Sequence, residues 1–314
     1  MIVSFEAKKV VGQVPVTPEL KQYYENLFAV LANRIVGKDI VDNIEAIVIP
    51  EDFISAVLAF QEEHNDGKPS VTDNEFGRAY GKMLRNPKTG KYTVFIDVML
   101  AGHIMEDNLF NSCFKNLDED NLSIAKRSRQ ESLNILAHEL SHVELATTLE
   151  RPKTEKSLHS GYMQQAYNLF DEYYACRKAG ALFPSSIADD DEKFILDLED
   201  RIDSERWNYK THKMSLNQFC SIFHQLSEMT LIRLVSVLGG YAAEGRNDLP
   251  FQNSLVGKQA AEFRTCFDRL FIQVVNGDTV DFSGLPTLAI DRYFRDLGVE
   301  ISDTSRGLYY SIPD

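Results

Sequence analysis

No stretch of this chain approaches the ~20 consecutive apolar residues that a membrane-spanning helix needs. Its first residues, Met1-Ile2-Val3-Ser4-Phe5-Glu6-Ala7-Lys8-Lys9, lack the basic region, apolar stretch and small-residue cleavage site of a secretory leader. No membrane partner is therefore expected, and a cytoplasmic location is. Cysteine is scarce: Cys113, Cys176, Cys220 and Cys266 stand far apart with no C-x-x-C pair. That spacing argues against a disulfide framework and against a thiolate zinc site, and fits free thiols in a reducing cytosol. Positive charge is also short, with 33 Lys and Arg against 47 Asp and Glu and a formal net charge of −14. A phosphate-tracking surface concentrates positive charge, so no nucleic-acid partner is expected. The basic run Lys126-Arg127-Ser128-Arg129 reads as a solvated helix start. Internal repeats and low-complexity tracts are missing too.

What remains has the composition of an ordinary globular protein, 44% hydrophobic and 25% charged. A chain of 314 residues can bury a full core as one large domain or two modest ones. The N-terminus reads as a strand. Thr17-Pro18-Glu19 has the residue types of an N-cap, a first-turn proline and an acidic first turn, opening a helix to about Val36. Ile44 to Ile49 is a β-branched strand, and Pro50-Glu51-Asp52 opens a helix to about Glu63. A polar loop from Asn65 to Asn74 follows. Arg78 to Arg85 and Lys91 to Met99 form the arms of a hairpin around Asn86-Pro87-Lys88-Thr89-Gly90. A helix from about Gly102 to Asn116 comes next. Past Phe183-Pro184-Ser185-Ser186 the pattern becomes helical throughout: Asp189 to Arg206, with Asp189 and Glu192 as cap and partner; Ser215 to Leu238, stopped by Gly239-Gly240; Val256–Val275; and Pro286–Leu297.

The chemistry concentrates in Ala137-His138-Glu139-Leu140-Ser141-His142. Residues four apart on a helix lie on one face, so His138 and His142 can direct two imidazole nitrogens at one zinc ion. Glu139, roughly 100° round the helix, sits beside that ion and can take a proton from water. Leu133, Leu136, Leu140 and Val143 recur at helical spacing and supply a core-facing stripe. Ser128-Arg129-Gln130-Glu131 has capping-box form, and Pro152 places the helix end near Leu149 or Glu150. Glu144 is a departure, because most helices with this motif carry an apolar residue there. An open zinc site needs a third protein ligand. The next helix, from about Gly161 to Ala179 with Gly180 as its stop, offers Glu172 on one face with Ala175 and Ala179. Asp171 is the alternative ligand or a partner for a histidine N–H.

This pattern, H-E-x-x-H followed 30 residues later by E-x-x-A-x-x-x-A, resembles the glutamate-ligand branch of the zincin zinc metallopeptidases, the gluzincins. A metzincin would carry glycine and histidine where Leu145 and Thr148 stand, and a carboxylate-bridged di-iron bundle needs a second E-x-x-H pair. His159 reads as a surface residue. The resemblance covers roughly Tyr92 to Ala179. It implies an α+β fold: a small mixed sheet with an edge strand, packed on a pair of zinc-binding helices, over residues 1–183. An all-α part, residues 184–314, would form the other wall of a cleft. It also implies Zn²⁺ held by His138, His142 and Glu172, with Glu139 as general base in the hydrolysis of a peptide or protein substrate. By the same resemblance Tyr92–Asp97 would be the edge strand that pairs with substrate; an interior strand is the other reading. His212, His224, Tyr173, Tyr174, Tyr309 and Tyr310 are all candidates to support an oxyanion, and nothing selects among them. The competing class is a non-catalytic zincin-like regulatory or interaction module.

Overall fold

The computed structural model describes residues 1–10, 14–64, 69, 71, 73–74, 77–184 and 192–313. By their internal contacts they fall into two units, Met1–Thr147 with Lys178–Ser186, and Thr148–Arg177 with Ile187–Asp314. The division cuts through one helix, Leu158–Leu182.

In the first unit the order is β1 (Ile2–Phe5), β2 (Lys9–Val10), β3 (Val14–Pro15), α1 (Pro18–Val36), α2 (Lys38–Val41), β4 (Ile44–Ile49) and α3 (Phe53–His64). Then come β5 (Asp73–Asn74), β6 (Gly77–Arg78), β7 (Gly81–Arg85), β8 (Tyr92–Ile96), α4 (Val98–Ala101), α5 (Asp107–Phe114) and α6 (Glu119–Thr148). The early helix signals work as read. Thr17 Oγ1 accepts from the Leu20 N–H with Pro18 in the first turn, and Asp52 accepts from the Ser55 N–H ahead of α3. A four-stranded sheet has the order β1-β4-β8-β7, with β1, β4 and β8 parallel and β7 antiparallel to β8. Strand β8 is thus interior, paired on both sides, and all five of its residues are buried. Tyr92–Asp97 therefore cannot serve as the edge strand; among the described residues β7 ends the sheet. Parallel strands covered on both faces read as continuous apolar runs, which is why β8 carries no polar face to mark an edge.

The period of two sorts the sheet's side chains. Tyr92, Val94 and Ile96 join a core with β1, β4, α1 and Leu133, Leu136, Leu140 and Val143 of α6. Phe95 and Leu84 face the other way, into a smaller cluster with Phe53 and Val57 of α3. The apolar stripe of α6 does what its spacing predicted, and Tyr92 Oη donates to the Ala146 carbonyl near the helix end.

The start of α6 differs. Its first turn is at Glu119, where Asp118 accepts from the Asn121 N–H, so Ser128 and Glu131 lie inside the helix rather than at its cap. Residues 119–127 contain no glycine or proline to break the helix upstream, and there Ser128 gives its carbonyl to Ser132 while Glu131 pairs with Arg127. The stretch expected as one helix from Gly102 to Asn116 holds only the shorter α5, while α4 takes up the last residues expected in the hairpin arm and ends at Ala101.

Helix α7 (Leu158–Leu182), the one that the division cuts, runs through Gly180 and ends ahead of Pro184, whose ring disfavours helical geometry at Phe183. The Phe183 carbonyl is taken by Asn134 Nδ2 at 2.7 Å, within the first unit. Next come α8 (Glu192–Lys210), α9 (Leu216–Ala243), a 3₁₀ turn (Val256–Gln259), α10 (Ala260–Asn276), α11 (Leu285–Asp296), β9 (Glu300–Thr304) and β10 (Gly307–Ser311). Asp189, expected as a cap, lies outside the described residues, as do Ser185, Ser186 and most of the loop after Asn65. Glu192 accepts from Asn253. The C-terminal part is largely helical, not all-α: β9 and β10 form an antiparallel hairpin. Its residues are mostly exposed on both faces, so no apolar alternation announced it. No helix among the described residues is long and apolar enough to cross a membrane.

Candidate metal centre

His138 and His142 stand one turn apart on α6, with Nε2 atoms 3.0 Å apart and ring planes at 87°. Two nitrogens of a tetrahedral zinc site with bonds of 2.0–2.1 Å sit roughly 3.3 Å apart. The imidazole pair is thus within a few tenths of an ångström of that spacing, and both rings are half-buried. One ligand atom from each of His138, His142 and Glu172 lies within 4.8 Å of the others. This donor set, two imidazoles and a carboxylate, could hold a divalent metal ion such as Zn²⁺ or Fe²⁺ with a position left open. The group that forms among the described residues contains Glu172 and not Asp171, although both are half-buried.

Glu172 is held from α9. Ser236 Oγ donates to Glu172 Oε1 at 3.1 Å, and the Cys176 thiol approaches the same oxygen at 3.6 Å. Burial pushes the Cys176 thiol well up, so it stays protonated. Gly239 is what lets α9 come this close. A side chain there would meet the Tyr173 carbonyl oxygen at 2.6 Å and Cys176 Cβ at 2.9 Å. Gly239-Gly240 was expected to end the helix, yet α9 continues through both to Ala243. Close packing against α7 outweighs their poor helix propensity, a cost of roughly 1 kcal/mol each. Ala175 and Ala179 are fully buried, as small residues on a packed face should be.

Glu139 points elsewhere than the two histidines, as its step round the helix requires, and is 8% exposed. Its neighbour is the first residue of β7: a side chain at Gly81 would meet Glu139 Cγ at 2.6 Å and Oε1 at 2.9 Å. Glu144, the departure from the motif's usual apolar position, forms an ion pair with Lys178 at 3.1 Å. The charge is thereby matched rather than left bare in a half-buried place.

Three of the remaining candidates are hydrogen-bonded to other side chains. Tyr173 Oη donates to Asp268 at 2.5 Å, and His224 Nε2 meets Tyr310 Oη at 2.8 Å. Tyr174 is buried, whereas His159, His212 and Tyr309 are exposed. Sequence reasoning missed Gly81 and Ser236. Both act through tertiary contacts, and neither belongs to a local motif. Against known proteins, no family model, no curated protein and no solved structure matches this chain.

Proposed function

We propose that this protein is a zinc-dependent metallopeptidase. The observation that carries the reading is the convergence of His138, His142 and Glu172, together with a buried carboxylate, Glu139, on the turn that bears both histidines. Zn²⁺ at that group would acidify a water toward neutral pH and polarise a scissile carbonyl. Glu139 takes the water's proton as the water attacks the peptide carbonyl, then returns it to the departing amine. Ser236 keeps the Glu172 carboxylate oriented. An extended peptide adds its backbone to the edge of β7, which no other strand covers among the described residues and whose first residue lies against Glu139.

The test is a digest of a peptide library by the zinc-loaded chain beside its Glu139→Gln variant, with bound metal measured in both. Wild type should cleave, and Glu139→Gln should hold equal zinc while losing at least a hundredfold in rate. His138→Ala should lose metal and cleavage together. Zinc bound at one equivalent with no peptide cut would favour the non-catalytic module. A Glu139→Gln variant as fast as wild type would remove the general base from the scheme.

A further inference from the structure

We infer that Gly81 is a positioning residue, whose missing side chain is the space that holds the Glu139 carboxylate against β7. The inference rests on the metallopeptidase reading for its consequence in catalysis, but on geometry alone for the contact itself.

Register gives the first argument. Gly81 pairs with Ile96 across the antiparallel β7–β8 ladder, and directly opposed residues share a face of the sheet. Ile96 belongs to the core that includes Leu136 and Leu140 of α6. Position 81 therefore aims at α6, not at α3, and the residue it meets there is Glu139. Met83, two residues on, faces the same side and packs against that core, so the strand does carry side chains toward the helix where there is room.

The clash gives the second. A Cβ at 81 would lie 2.6 Å from Glu139 Cγ, 2.9 Å from Oε1 and 3.1 Å from Cδ. Cγ is the first rotatable branch of that side chain, not its far end. Relief requires a different χ1 for Glu139, and hence a different place for its carboxylate. The backbone gives no other reason for glycine. Gly81 is in extended strand geometry and is not among the glycines of left-handed φ, so alanine would fit the chain itself.

The strand cannot simply slide away. Just ahead of Gly81, the Tyr80 carbonyl accepts from the Asp97 N–H at 2.8 Å, and Arg78 pairs with the buried Asp97 carboxylate at 3.1 Å. Asp97 in turn accepts from the Met99 N–H at the start of α4. The segment that presents Gly81 is tied at both ends, by this cluster and by the β7–β8 ladder. The side chain of Glu139 is left as the part that must move.

The experiment is Gly81→Ala made in wild type, in Glu139→Gln and in Glu139→Ala, with Tm, zinc affinity and peptide cleavage measured for each. Gly81→Ala should lower Tm by roughly 3–10 °C in wild type and equally in Glu139→Gln, where the side chain has the same size. In Glu139→Ala it should change Tm by less than about 2 °C, since alanine then fits and suits a strand better than glycine. Zinc affinity should stay within about twofold throughout. On the otherwise wild-type chain kcat should fall tenfold or more with KM within about twofold, the mark of a displaced base rather than of lost binding. Equal Tm losses on all three backgrounds, or wild-type kcat in Gly81→Ala, would overturn the inference. If wild type cleaves no peptide, the metallopeptidase reading falls, and the three-background Tm comparison still decides whether the space at 81 belongs to Glu139.

Discussion

Replacing Gly239 by alanine would set a methyl carbon 2.6 Å from the Tyr173 carbonyl oxygen, 2.9 Å from Cys176 Cβ and 3.2 Å from the Arg177 nitrogen. Two of those atoms are backbone and cannot rotate away. Restoring ordinary contact near 3.4 Å means moving α9 off α7 by about 0.8 Å. Ser236 sits one turn earlier on the same helix, and its 3.1 Å bond to Glu172 would stretch to about 3.9 Å, beyond hydrogen-bond reach. Overpacking of this kind costs about 1–3 kcal/mol and a fall in Tm of several degrees. Loss of a hydrogen bond that orients a ligand typically weakens metal binding about 10–100-fold. The assay is zinc titration against a chromophoric chelator, run beside thermal melts of the metal-free chain. Ser236→Ala should reproduce the weaker binding with little loss of Tm, since it removes the bond without forcing the helices apart. Wild-type affinity in both variants would refute the coupling of helix spacing to Glu172.

Other outcomes follow from the same structure. Excess Zn²⁺ at a thousandfold over Kd should stabilise the chain by about 4 kcal/mol, seen as a raised Tm that His142→Ala abolishes. Glu199 is buried, accepts from the Leu255 and Val256 N–H groups at 2.9 Å each, and has its carboxyl raised by that burial. Glu199→Ala strands both donors and should cost about 2–5 kcal/mol by denaturant unfolding. Burial also holds the His224 imidazole below the ordinary histidine range. A depressed histidine binds its proton less readily in the folded state, so its contribution is present above the unfolded pKa of about 6.5 and fades as pH falls through the lower folded value. Tm should therefore drop between pH 7 and 5, and His224→Gln should flatten that drop.

Local information carried much of this molecule. The histidines' spacing, the apolar stripe of α6, the proline and threonine that open α1 and the turn between β7 and β8 each depend on residues a few positions apart. Their geometry follows from helix and strand periods alone. The same reasoning failed wherever a neighbour distant in sequence decided the outcome. Glycines at 180 and 239 read as helix stops, yet α7 and α9 run through both, and at 239 the benefit of close packing against Tyr173 and Cys176 exceeds the local cost of glycine. Strand β8 looked equally fit for an edge or the interior, and pairing with β4 and β7 placed it inside. The exposed β9–β10 hairpin buries too little to leave an apolar pattern. The bare sequence thus determined which side chains could bind a metal and on which helix face they stand. Only the tertiary structure decided which carboxylate lies near them, what holds it, and where Glu139 is given room, because packing at each of those points is set by atoms tens of residues away.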